Sequence, residues 1–152
     1  MDTDARPNID ALANEQDPGD RVHLVVPPSS EFLRTVRLVA ADVAVRAGCD
    51  LDEVEDVRIA IDELCHLLMT ATDHSLHLTF ANVEDHVIGR GSARARSGNA
   101  PVVLDEVSAM IVNATTDHHL VERRGAEIVF EVVKRVDRPA DRDLPGRVAS
   151  RP

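Results

Sequence analysis

Aromatic residues are nearly missing from this chain: three Phe, no Trp and no Tyr in 152 residues. A core must therefore be assembled from Val, Leu, Ile and Ala, and binding by stacking on aromatic rings is largely excluded. Cysteine is scarce too; Cys49 and Cys65 imply no disulfide scaffold and read as buried thiols. No run of about 18 apolar residues is present to span a bilayer. The N-terminus is acidic where a secretory signal would be basic and then apolar, so a cytoplasmic protein with no membrane association is expected. Cations are outnumbered, 17 Lys and Arg against 27 Asp and Glu, for a formal charge of −10. Such a surface repels a phosphate backbone unless its basic residues gather in one patch, so nucleic acid is not an expected partner. There is no G-x-x-x-x-G-K-[ST] loop, no C-x-x-C and no H-E-x-x-H.

What is present is the balance of a globular domain, 43 % hydrophobic and 29 % charged. The length suits one domain with a real core. Six acids against Arg6 put half of the net charge into residues 1–20, which with Pro7, Pro18 and Gly19 read as a disordered acidic tail. Residues 137–152 carry three prolines and alternate Asp with Arg, and read as a second tail. A single domain is expected over 21–136.

Within it, RVHLVVPP (21–28) is a strand stopped by two prolines, with Ser29 or Ser30 placed to cap a helix. Leu33, Val36, Ala40, Val43 and Ala47 form that helix's buried stripe, with Arg34, Arg37 and Arg46 opposite, and Gly48 ends it. Asp50 and Glu53 have capping-box spacing for a second helix with the stripe Val54, Val57, Ile61, Leu64, Cys65 and Leu68. SLHLTFAN (75–82) alternates as a half-buried strand, and HVIGRGSARA (86–95) is its hairpin partner. A third helix is predicted from Pro101 to about Ala114, with Val103, Val107, Met110 and Ala114 on its buried side. HHLVE and AEIVFEVVKRV close the domain as a hairpin.

The second helix poses the functional question. On a helical wheel Glu63 lies roughly 140° from the centre of the core stripe, yet it is flanked by Ile59, Ala60, His66 and Leu67. Two readings follow: a surface acid whose apolar neighbours contact another helix or a partner, or a desolvated carboxylate suited to taking a proton. Arg58 and Asp62 stand at a favourable spacing for an ion pair. His118 and His119, adjacent on a strand, point to opposite faces and cannot easily chelate one ion, so no metal site is predicted. Arg90, Arg94 and Arg96 suit a solvated strand edge, and the G-R-G at 89–91 suits close packing under a helix.

The stretch FLRTVRLVAADVAVRAG through DLDEVEDVRIAIDELC resembles the first two helices of the anti-sigma factor and serine-protein kinase family, the RsbW-like proteins of the Bergerat (GHKL, histidine-kinase-like ATPase) fold, and in particular its divergent actinobacterial members. The resemblance implies an α+β, two-layer sandwich: a mostly antiparallel (mixed) sheet of about five strands covered on one face by three helices. It also implies an N box, a Glu that acts as base in phosphoryl transfer and, four residues on, an Asn that helps hold Mg²⁺. Glu63 matches the Glu as catalytic and nucleotide-site residue; the Asn position is Leu67, which offers a metal no oxygen. The family's D-x-G-x-G box, whose Asp reads adenine, has no counterpart in SARARSGNA (92–100). ATP and Mg²⁺ are thus the cofactors that the resemblance names and the residues argue against. Arg34 matches an arginine often found near the surface used for the sigma factor or antagonist.

The function expected is a stress-response transcription regulator, an anti-sigma-factor-like protein that binds a sigma factor or a STAS-type antagonist, with kinase activity lost. The alternatives are a working serine-protein kinase using Glu63, and a homodimeric interaction module whose Ile59 and Leu67 patch is a subunit contact.

Overall fold

A computed structural model describes residues 21–98 and 100–137; the two expected tails lie outside the described residues, apart from Asp137. Five strands form one antiparallel sheet in the order β1-β2-β3-β5-β4. They are β1 Arg21–Val26, β2 Leu76–Val83, β3 His86–Arg94, β4 His118–Arg124 and β5 Glu127–Arg135. Three helices pack on one face: α1 Leu33–Ala47, α2 Leu51–Ala71 and α3 Glu106–Thr115. This is the expected two-layer α+β sandwich, and its sheet is antiparallel throughout.

The sheet register explains why β3 carries glycines. In one row across the sheet Phe80, Gly89 and Val132 stand side by side; in the next, Leu78, Gly91 and Phe130. The gap at Gly89 is filled by Ile61 of α2 and Val132, and that at Gly91 by the Phe130 ring and Leu78. A Cβ on Gly89 would lie 2.9 Å from Ile61 Cδ1 and 2.9 Å from Val132 Cγ2, and one on Gly91 would collide with the Phe130 ring. The expectation of close packing under a helix holds. Phe80 and Phe130 are fully buried at this point. Each contributes about 1.5–3 kcal/mol by leaving water, which compensates in part for the scarcity of aromatics.

α2 is fastened at both ends. At its start the capping box forms as predicted: Glu53 N–H donates to Asp50 Oδ1 at 2.8 Å, and Asp50 N–H to Glu53 Oε2 at 2.7 Å. The other oxygen of buried Glu53 accepts from Asp137 N–H at 2.9 Å, so the same carboxylate holds the chain leaving β5. Lys134 on β5 pairs with Asp56 at 2.9 Å. Burial opposes the lysine's charge, but the hydrogen bond and negative charge of Asp56 outweigh it and raise its pKa.

Several local expectations are corrected. No serine side chain caps α1; a 3₁₀ turn, Ser30–Phe32, leads into it, and Ser29 Oγ instead reaches Glu31 at 3.4 Å. Arg58 pairs with Glu55 at 2.9 Å rather than with Asp62, which faces Arg37 of α1 at 3.4 Å. A contact to a neighbouring helix thus replaces the expected pair along one helix. β3 lies inside the sheet, so Arg90 and Arg94 are not on an edge.

α3 departs most. It starts at Glu106, because Asp105 accepts Ser108 N–H at 2.8 Å and caps it there. Pro101 stays upstream in irregular chain. The expected buried stripe faces outward: Val103, Val107 and Met110 are 71 %, 66 % and 67 % exposed, while Val112 and Thr115 are buried. A helix that also bonds to α2 through Ser108 docks by its 108, 112 and 115 side, and apolar periodicity alone does not register that bond.

Replacing Gly91 by Ala is expected to cost about 1–3 kcal/mol, because the methyl group must displace the Phe130 ring. A lowered midpoint with unchanged slope in urea unfolding checks this; an unchanged midpoint contradicts it.

Candidate functional site

The middle of α2, the segment after β3 and the N-terminus of α3 converge at one place. Glu63 is half-buried there, and its Oε2 accepts a hydrogen bond from Ser108 Oγ at 2.7 Å. Ser108 Oγ also lies 3.2 Å from Asp105 Oδ2. A hydroxyl has one proton to donate, and the shorter contact assigns it to Glu63. α3 packs against α2; of the residues flanking Glu63, Ala60 is buried, Ile59 and Leu67 are half-buried and His66 is exposed.

One helical turn beyond Glu63, Leu67 lines a cleft of about 280 Å³ between the end of α2, residues 95–98 and 100–103, and the start of β5. Glu63 does not line it. The described side chains that do are mainly apolar, such as Ala71, Val102 and Ile128; the polar ones are Arg96, Ser97 and Arg123. No carboxylate or amide side chain contributes among the described residues. The Ser97 hydroxyl is the one side-chain oxygen among these described residues, and without a carboxylate or amide beside it they are a poor fit for Mg²⁺ held against nucleotide phosphates.

The two arginines are committed elsewhere. Arg96 was expected on a solvated strand edge; it lies past the end of β3, and its guanidinium donates to Asp73 Oδ1 at 2.8 Å and Thr70 O at 2.9 Å at the C-terminus of α2. Arg123 donates to the carbonyls of Gly98, Ala100 and Gly125. Sequence reasoning missed both roles, since backbone carbonyls have no residue signature.

Arg34 is on a separate surface, exposed on α1. Leu38 and Val45 lie on the same side of that helix, within about 40° on the wheel, and are 63 % and 60 % exposed. These two were also missed, although a signal existed: both are apolar and fall outside the buried stripe of α1. The structure thus brings Glu63 and Leu67 onto consecutive turns of α2 and leaves Arg34 on a helix of its own. Arg37, expected to be solvated, is half-buried and turned to Asp62.

Neither thiol is placed to ionise readily. The Cys49 pKa is pushed up to about 11, first by burial and then by the carboxylates of Glu53 and Asp50; that of buried Cys65 is pushed higher still by burial, with Asp62 adding to it. Among the described residues no three His, Cys, Asp or Glu side chains come together as a metal site. No helix among them is long and apolar enough to cross a membrane.

No family model matches the chain. It is 31 % identical over 78 residues to a serine-protein kinase RsbW of Halalkalibacterium halodurans, a match covering 51 % of this chain and 39 % of that protein. It is 37 % identical over 46 residues to a serine-protein kinase RsbW of Bacillus cereus, covering 30 % of this chain and 29 % of that one. The matches thus span well under half the length of these relatives. A crystal structure of RsbU and RsbW domains from Mycobacterium tuberculosis shares the fold, with a TM-score of 0.62 and 18 % identity over 78 % of this chain and 32 % of that one.

The Asp105 cap that presents Ser108 to Glu63 has a consequence in acid. The N–H of Ser108 is the main cause that lowers the Asp105 pKa below its ordinary value of 3.8; desolvation opposes it, and the Val107 N–H adds to the lowering. A depressed carboxylate stabilises the fold above its unfolded pKa, and that contribution is lost as pH falls through the folded value. Amide exchange at Ser108 is therefore expected to accelerate, relative to the intrinsic rate, as pH falls below about 4. In Asp105→Asn, which still caps but does not titrate, this acceleration should vanish; an identical acid response in both proteins contradicts the assignment.

Proposed function

We propose that this chain, which sequence and fold support as a member of an RsbW-like GHKL family, is an anti-sigma-factor-like regulator that acts by binding rather than by phosphorylation. Its partner is a sigma factor or a STAS-type antagonist, taken up on the exposed face of α1. The observation that carries this reading is the donor set at Leu67. The side chain that would help hold Mg²⁺ in the resembled family has no oxygen here, and the cleft it lines supplies no carboxylate or amide in its place among the described residues. Phosphoryl transfer depends on a metal and positioned phosphates far more than on a base, so Glu63 by itself does not sustain it.

The α1 face supports the binding half of the reading. Arg34 heads a line of exposed apolar side chains, Leu38 and Val45, which combines the charged anchor and dry surface of a helix-binding contact. A role in stress-response transcription, in the cytoplasm, follows from the same family reading.

One observation favours the competing reading of an active serine-protein kinase. Glu63 accepts its hydrogen bond from a serine hydroxyl at 2.7 Å, the geometry in which a general base takes a proton.

Calorimetric titration with ATP and Mg²⁺ separates the two: no saturable binding in the micromolar range is expected, nor transfer of labelled phosphate to a co-purified antagonist. Micromolar affinity or label on the antagonist overturns the loss of kinase chemistry. Co-purification followed by mass spectrometry is expected to return a sigma factor or a STAS-domain protein. Arg34→Glu should weaken capture of that partner by about tenfold or more with an unchanged circular dichroism spectrum, and unchanged affinity removes Arg34 from the surface.

A further inference from the structure

We propose that Arg96 is an intramolecular latch, holding the chain that leaves β3 against the C-terminus of α2 so that the cleft beside Leu67 keeps one conformation without nucleotide. The proposal rests on the reading above and concerns its regulation: a cleft whose bordering cations are already engaged by the chain's own groups leaves the binding surface indifferent to ATP.

The argument begins with the end of α2. The last four carbonyls of a helix have no partner within it, and they favour a cation. α2 has no basic residue in its last turn and ends on Thr72 in extended conformation. The missing cation arrives from elsewhere in the sequence. Arg96 Nη1 donates to Thr70 O at 2.9 Å, Nη2 to Thr72 O at 3.4 Å, and Nε to Asp73 Oδ1 at 2.8 Å. Its backbone N–H donates to Ala71 O at 3.0 Å. Four donors of one residue are therefore spent on four consecutive residues of α2 and its exit. The side chain is 53 % exposed, yet each nitrogen of its guanidinium has an acceptor, and a planar fork engaged in this way holds its partners in one geometry.

The neighbouring contacts point the same way. Thr72, 1 % exposed, donates its hydroxyl to Arg94 O and accepts His74 N–H at 3.0 Å, and it forms a bridge with Ala95. Arg123, the other cation bordering the cleft, donates to the carbonyls of Gly98 and Ala100. Both positive charges that border the cleft are thus engaged within the chain, Arg96 by the Asp73 carboxylate and backbone oxygens and Arg123 by backbone oxygens, and a phosphate would have to compete with these.

The test is hydrogen exchange followed by mass spectrometry on the full chain, with and without millimolar Mg-ATP as the probe. Arg96→Ala is expected to speed exchange of the amides at 95 and 96 by about tenfold or more, while the core of α1 around Val36 and Ala40 is unchanged. Arg96→Lys restores only part of the protection, since an ammonium lacks the fork. In the natural sequence Mg-ATP leaves 95–98 unchanged. Unaltered exchange at 95 and 96 in Arg96→Ala, or protection of 95–98 by Mg-ATP, overturns the latch. If Arg96→Ala does not fold, Asp73→Asn removes one partner and nothing from the core; a smaller acceleration supports the latch and none overturns it. Partner capture is read separately, so that failure to bind a sigma factor or antagonist strikes the proposed function, whereas failure of the exchange result strikes the latch.

Discussion

The close approach of α2 to the middle of the sheet is the contact on which the other features rest. It is possible because β3 has no side chain at two inward positions, where Ile61 comes down from the helix and the Phe130 ring spreads across from β5. A chain with so few aromatics places two of its three phenylalanines on the strands flanking those glycines. Packing of this density fixes α2 in rotation as well as distance, because a small turn would drive its core stripe into the sheet. Everything functional on α2 inherits that rotation.

Seen from the seated helix, the polar contacts form three anchors with separate jobs. At the N-terminus, Glu53 closes the capping box and holds Asp137, joining the start of the helix to the end of the last strand. In the middle, Glu63 receives the Ser108 hydroxyl and joins α2 to α3. At the C-terminus, Thr70, Ala71 and Thr72 receive Arg96 and join the helix to the exit of β3. The candidate site is the space between the second and third anchors. That geometry gives Glu63 a structural role whatever its chemistry: it has a partner in Ser108, and a hydrogen bond to a carboxylate is worth about 1.5–3 kcal/mol.

Much of this was legible in the chain itself. The two-layer α+β architecture, the β2–β3 and β4–β5 hairpins, the capping box at Asp50 and Glu53, the terminating Gly48 and the buried stripes of α1 and α2 all follow from local periodicity and turn chemistry. The places of Glu63 and Leu67 on successive turns of α2 follow from the same register. Where reading failed, a long-range partner decided. Asp62 chose Arg37 of another helix over Arg58 of its own, Arg96 chose carbonyls, and α3 turned its valines outward because Ser108 bonds to Glu63. None of these partners stands near in sequence to the residue it captures.

By itself, then, the sequence determined the kinds of element, their order and the residue types available for chemistry, because periodicity, caps and turns act over a few residues and are written in side-chain identity. It also determined that the side chain at position 67 has no oxygen to give a metal, which no fold can change. The tertiary structure decided which way each helix faces and which charges are already spent. Those depend on distances between residues remote in the chain, and on backbone carbonyls that look the same at every position.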